Sequence, residues 1–192
     1  MIRTGIYGGS FNPIHIAHIS LAQALLQAAS LDEIWLVVSP QNPLKQASQL
    51  LADDKRLQLA RKALEPYSGL QASDFEFHLP KPSYMWHTLC ALRQQYPDRE
   101  FVLIIGADNW QSFDRWYRAD DIVASFPIVV YPRPGYDICA HDLPPTVSLA
   151  PTPLLDVSST DIRERIRHGE SIHNLVPEAI ESDVIEAYSA QQ

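Results

Sequence analysis

Five consecutive apolar side chains, Phe101-Val102-Leu103-Ile104-Ile105, run without interruption into Gly106, and Ile34 to Ser39 (Ile-Trp-Leu-Val-Val-Ser) repeats the pattern. Runs of strand length with no polar alternation call for burial on both faces, which a parallel sheet between layers of helices provides. Ile2 to Tyr7 and Pro127 to Tyr131 read as further strands, Val147 to Leu149 as a short one, and Phe75 to Leu79 as a weaker one with Phe75 and Phe77 on one side. Helical spacing occupies the intervals. Helices are expected over Ile16 to Ala29, from Asp53-Asp54 through Leu64, from about Ser83 to Gln95, in short pieces between Asp108 and Ser125, over Thr160 to His168 with Gly169 as C-terminal cap, and over Pro177 to Ala190. Alternating strands and helices predict an α/β fold, a mainly parallel sheet with helices on both faces. No repeat or long linker divides the 192 residues, which read as one domain with a helical C-terminal part over about 158–192.

Sheets of this kind bind ligands at the carboxyl ends of strands. The segment after the first strand fits that rule: Gly8-Gly9-Ser10-Phe11-Asn12-Pro13-Ile14-His15-Ile16-Ala17-His18. Glycines let backbone N–H groups approach an anion, and the helix N-terminus adds partial positive charge. His15 and His18 are three apart and share a helix face, within reach of one phosphate. A zinc pair is disfavoured, because the spacing is not i, i+4 and no carboxylate lies between them. No G-x-G-x-x-G follows the strand, and no Walker A ending is present.

A second candidate cradle is Val157-Ser158-Ser159-Thr160-Asp161-Ile162-Arg163. Ser158 with Asp161 fits a capping box. Three hydroxyls in a row exceed what a cap requires, and Arg163 with Arg167 follows on one face, as phosphate binding at a helix N-terminus would use. Ile162 and Ile166 take the core face, and Arg165 is placed to pair with Asp161.

These stretches resemble a known family. Gly8 to His18 is similar to the G-G-x-F-x-P-x-H-x-G-H signature of the nucleotidyltransferase superfamily, and Ser158 to Arg163 to its S-S-T-x-I-R signature. Pro82-Ser83-Tyr84-Met85-Trp86-His87-Thr88-Leu89 is similar to the P-S-Y-T-x-x-T-L segment of bacterial nicotinate-mononucleotide adenylyltransferases. Ile104-Ile105-Gly106-Ala107-Asp108 followed by Trp116-Tyr117, and the Arg133-Pro134-Gly135 turn, also resemble that family's blocks, in the same order.

The resemblance implies a Rossmann-like fold and adenylyl transfer from ATP to nicotinate mononucleotide, with pyrophosphate leaving. It implies an ATP site made by Gly8, Gly9, Ser10, Phe11, His15, His18, Gly106, Asp108, Ser158 and Arg163, with His18 closest to the reacting centre and Asp108 on ribose hydroxyls. Lys45 would meet phosphate across the cleft, and His15, His18, Lys45 and Arg163 would carry the catalytic load. Ser83, Tyr84, Met85, Thr88, Trp116 and Tyr117 would receive the mononucleotide, the last two flanking its pyridine ring. Mg²⁺ would be held mainly through the ATP phosphates. The residues alone leave plainer roles open: a solvated loop cation for Lys45, a helix N-cap for Asp108, core aromatics for Trp116 and Tyr117, a back-bonded helix hydroxyl for Thr88. Nicotinamide mononucleotide or another phosphate acceptor of the superfamily is the alternative substrate, and a non-catalytic nucleotide-binding module the alternative role.

Three positions depart from the family pattern. Ala17 replaces the glycine between the histidines, Leu44 the histidine before Lys45, and Met85 a threonine suited to the nicotinate carboxylate. A thioether donates no hydrogen bond, so recognition of the acid would rest on main-chain N–H groups near Tyr84 and on Trp116 and Tyr117.

Composition narrows the partners. A net charge of −8 argues against a nucleic-acid polymer but not against a small anion held by local cations. Cys90 and Cys139 are too few for a disulfide framework or zinc cluster. With no leader-like or membrane-length apolar run, the expectation is a cytoplasmic protein off the membrane. A homo-oligomer is compatible with the sequence.

Overall fold

The computed structural model describes residues 1–40, 50–153 and 156–190. These form a six-stranded parallel sheet in the order β3-β2-β1-β4-β5-β6: β1 Ile2–Gly9, β2 Glu33–Val38, β3 Leu70–Ser73, β4 Arg99–Gly106, β5 Ile128–Tyr131 and β6 Val147–Leu149. The helices are α1 Ile16–Ala28, α2 Asp53–Leu64, α3 Met85–Gln95, α4 Ala107–Gln111, α5 Ala119–Ser125, α6 Ser159–Arg167 and α7 Glu178–Ser189. The expected α/β architecture is therefore present. None of the described helices is long and apolar enough to cross a membrane.

The central strands are apolar on both sides because both sides are covered. Val102 and Ile104 of β4 join a cluster with Ile19 and Leu25 of α1, Ala60 of α2, Ile162 of α6 and Val184 of α7. Phe101, Leu103 and Ile105 face the other way, onto Leu89 and Leu92 of α3 and Ile122 of α5. The chain leaves β1 toward β2 and β3, then returns past β1 to β4, so the topological switch point lies between β1 and β4. Gly8 and Gly9 close one strand there and Gly106 the other. A crevice outside the carboxyl ends of these two strands is where this topology places a ligand.

One strand expectation fails. Phe75–His78 is a 3₁₀ turn, and the strand lies just upstream at β3. Leu70 to Ser73 pairs with Ile34 to Val37, after which Ser73 Oγ accepts from the Phe75 N–H at 3.2 Å and the Asp74 carbonyl accepts from the Phe77 N–H at 2.8 Å. These bonds turn the chain. Phe75 and Phe77 then pack against different clusters instead of sharing a face, and Glu76 between them turns inward. α3 begins at Met85 with Tyr84 as N-cap, two residues later than the spacing suggested.

Candidate active site

β1 continues through Gly8 and Gly9, which pair with Val37 and Val38, so neither glycine makes a turn. Each clears space. A Cβ on Gly8 would lie 3.0 Å from Met85 Cε, and one on Gly9 would lie 3.0 Å from the Phe11 ring. The turn itself falls on Phe11, whose φ of 43° is unusual for a bulky side chain. Its ring is buried edge-on to Tyr7 and 5.0 Å from the His18 ring, which holds the backbone in that conformation.

His15 is the N-cap of α1, and its backbone N–H donates to His18 Nδ1 at 3.3 Å. That bond assigns the proton of a neutral His18 to Nε2. The two imidazoles stack with centroids 3.6 Å apart. Burial, reinforced by the nearby Arg133 charge, pushes the His15 pKa down from 6.5 to about 4. His15 is thus a neutral imidazole at neutral pH, and its buried Nδ1 has no hydrogen-bond partner among the described residues. Cationic charge in the crevice comes instead from Arg133 and Arg163, which line it.

A stability prediction follows from His15. Between pH 6.5 and about 4 the unfolded chain binds a proton at this position that the folded chain does not. Stability therefore rises with pH across that window and is lost as pH falls through it. Urea unfolding at about pH 7 and about pH 4.5 should show a larger loss in the wild type than in His15→Gln. Equal losses would mean that folded His15 titrates normally.

The second cradle meets the first. Ser158 caps α6 by accepting from the Asp161 N–H at 3.1 Å. Ser159 Oγ donates to the Pro13 carbonyl at 2.9 Å, and Arg163 Nη1 donates to the Asn12 carbonyl at 2.7 Å. Segments about 150 residues apart in sequence thus close on one another, as the 151-residue separation of the Arg163–Asn12 pair shows. Arg165 pairs with Asp161 at 3.1 Å, as the i, i+4 spacing anticipates.

Between the cradles lies a cavity of about 650 Å³. Gly8 to Phe11, His15, His18, Ala17, Asp108, Ser158 and Arg163 all line it. A Cβ on Gly106 would collide with Asp108 Oδ1 and lie 3.2 Å from Arg133 Cγ, so a side chain there would displace the Asp108 carboxylate. Asp108 Oδ1 itself is buried without a hydrogen bond among the described residues and lies 3.5 Å from Arg133 Nε.

The residues expected to receive the mononucleotide lie on the flank of this cavity rather than in its wall. Met85 leans on Gly8, and Tyr84 lies 5.0 Å from Tyr117 between ring centroids. Tyr117 is exposed, whereas Trp116 is half-buried against Phe113. Ser83 is buried, with an Oγ that has no partner among the described residues. Thr88 does not face a ligand space: it is completely buried, and its hydroxyl donates to Glu76 at 2.8 Å. Lys45 and Leu44 lie outside the described residues.

Three contributors escaped the sequence. Arg133, noted only as part of a turn, stands just past β5 with its side chain in the cavity; a cation directly after a strand was the available signal. Arg56 has no solvent exposure and donates to the carbonyls of Ser10, Leu51 and Ser39 and to Asp53. Tyr188 of α7 donates to Asn12 Oδ1 at 2.6 Å, which also accepts from the Leu51 N–H at 3.1 Å. Nothing in the helical patterns of Arg56 or Tyr188 marks them as anything but amphipathic-helix residues.

A crevice at the β1/β4 switch point, lined by glycines, histidines, hydroxyls and arginines, defines a nucleotide-binding α/β protein of the nucleotidyltransferase type. Comparison with known proteins agrees: residues 6–165 match the model of the cytidylyltransferase-like family, and the chain belongs to it. Within that family it groups with proteins named probable nicotinate-nucleotide adenylyltransferase. The Bacteroides fragilis protein is 49% identical over 184 residues, covering 96% of this chain and 92% of the relative. The Bacteroides thetaiotaomicron protein is 51% identical over 165 residues, covering 86% and 82%. Among solved structures, Plasmodium falciparum nicotinic acid mononucleotide adenylyltransferase complexed with NaAD superposes with a TM-score of 0.81 at 22% identity, covering 100% of this chain and 98% of that one, which shows the shared fold.

Proposed function

We propose that the protein transfers the adenylyl group of ATP to nicotinate mononucleotide, giving deamido-NAD and pyrophosphate, a step of NAD biosynthesis. The observation that carries this reading is the closure of α6 onto the Asn12–Pro13 segment by Arg163 and Ser159. It makes one crevice from two distant phosphate-type motifs, in a chain whose relatives bear this enzyme's name.

In the reaction a phosphate oxygen of the mononucleotide attacks the α-phosphorus of ATP, and the bond to the pyrophosphate oxygen breaks. No group of the chain becomes covalently attached, so catalysis rests on positioning and charge stabilisation. His15 and His18 offer ring nitrogens at the start of α1, with His18 Nε2 as the N–H donor toward the reacting phosphate. Ser158 and Arg163 receive the β and γ phosphates, and Arg133 adds a second cation. Asp108, ion-paired with Arg133 at 3.5 Å, accepts from ribose hydroxyls. Mg²⁺, when bound, supplies further charge neutralisation; the described residues contain no cluster of three acidic, histidine or cysteine side chains for it, so the phosphates would hold it. Tyr84, Met85, Trp116 and Tyr117 frame the pyridine end.

The test is pyrophosphate release with Mg·ATP and each mononucleotide in turn. The acid should give the higher kcat/KM. A preference for the amide would reassign the acceptor, and ATP binding without turnover of either would leave a binding module.

A further inference from the structure

Glu76 is 2% exposed, and no lysine, arginine or histidine bonds to it among the described residues. Its two oxygens go in opposite directions. Oε2 accepts from Ser39 Oγ at 2.7 Å, and Oε1 accepts from Thr88 Oγ1 at 2.8 Å. Burial pushes the carboxyl pKa up, while the two hydroxyls pull it back. A buried carboxyl group is costly and is held only where both oxygens are satisfied.

The two hydroxyls belong to two segments that adjoin the site, the end of β2 beside the Gly8–Ser10 loop and the start of α3 on the flank. Ser39 follows β2; its N–H donates to the Gly9 carbonyl at 2.9 Å, and its own carbonyl accepts from Arg56, which also holds the Ser10 carbonyl. Ser39 is therefore fixed to the phosphate loop. Thr88 lies one turn into α3, which starts at Met85 after the Tyr84 N-cap, and Met85 Cε rests against Gly8. A carboxyl group with one oxygen bonded to each segment ties the two together.

We propose that Glu76 is a positioning residue of the acceptor site, a strut that sets the gap between the Gly8–Ser10 phosphate loop and the start of α3. The proposal rests on the reading that the acceptor mononucleotide binds along Tyr84–Met85. The phosphate loop is also held by Arg56, and α3 near its start has the Glu76 bond as its polar tie to that loop. Losing the strut should therefore displace the start of α3 and leave the phosphate loop in place.

The experiment measures both KM values in Glu76→Met, which fills the space without polar atoms, and in Thr88→Val, which removes one end of the strut. Glu76→Gln serves as the conservative variant. In it the side-chain amide can donate to Thr88, whose own proton turns to the Tyr84 carbonyl, already 3.4 Å away. Both Glu76→Met and Thr88→Val should raise the mononucleotide KM about tenfold, since small displacements of a positioning group cost rates of this order or more. The ATP KM should stay within about twofold, and Glu76→Gln should restore most of the loss. A purely structural Glu76 would lower the fraction of folded enzyme and kcat while leaving both KM values unchanged; that outcome overturns the proposal. So does a parallel rise of both KM values. Should the wild type turn over neither mononucleotide, the reading of function fails, and the strut fails with it.

Discussion

Replacing His18 by alanine should lower kcat by about 10² while KM for either substrate changes little, because loss of one preorganised donor at a developing charge costs that much. The geometry explains the size of the effect. The contacts that orient His18 include the His15 N–H on Nδ1, the stacked His15 ring and the edge contact with Phe11. Its Nε2 proton is therefore aimed before substrate arrives, and little reorganisation accompanies the reaction. A donor of this kind acts on charge that builds up as the pyrophosphate bond breaks, not on the ground state. His15 is less clean to test by deletion, since it is buried and caps α1. His18 is only half-buried, so its truncation should leave the fold intact. Steady-state kinetics on folded His18→Ala protein would decide the matter. An unchanged kcat would remove His18 from the chemistry, and a rise in KM alone would make it a binding residue.

The parts of the site that were legible in sequence are those built from neighbouring residues. The Gly8–His18 segment and the Ser158–Arg163 helix start each carry their chemistry within one turn of chain, and the apolar runs of β2 and β4 could only be buried strands. Even there the sequence showed only part of what Gly8 and Gly9 do. They read as clearing space for an anion, and besides that they continue β1 and make room for Met85 and Phe11, contacts no local pattern announces. Phe75-Glu76-Phe77 misled for a related reason. Alternation of apolar and polar residues normally marks a half-exposed strand. Here the apolar pair splits between two cores, and the polar residue is the most buried of the three. Thr88 looked like a ligand hydroxyl because it follows Tyr84 and Met85 on the chain, but the helix turns it toward Glu76. What sequence cannot supply is which carbonyl or hydroxyl arrives opposite a given side chain once distant elements pack.

Arg56 is the largest instance, and its replacement should cost the most stability. In Arg56→Met the apolar stem is largely kept and the guanidinium is lost. The native group has no exposure and donates to three backbone carbonyls, those of Ser10, Ser39 and Leu51. Those acceptors sit at the ends of β1 and β2 and just before α2, where no strand or helix ladder supplies a replacement donor. Each buried group left unsatisfied costs roughly 1–3 kcal/mol, so a loss of about 3 kcal/mol or more is expected. Asp53 contributes less, because its side chain is 34% exposed and can be solvated once unpaired. For a domain of this size that loss lowers Tm by roughly 6–12 °C. Lysine should not rescue it, since one ammonium at the end of a flexible stem cannot reproduce a planar fork that spans several carbonyls. Release of the Ser10 carbonyl should also loosen the phosphate loop, so the ATP KM should rise while the mononucleotide KM follows less. Urea unfolding and two-substrate kinetics on the same protein separate the two effects. A midpoint within about 0.5 kcal/mol of wild type, a change typical of ordinary surface positions, would show that water or a shifted backbone satisfies those carbonyls and that Arg56 does not hold the loop.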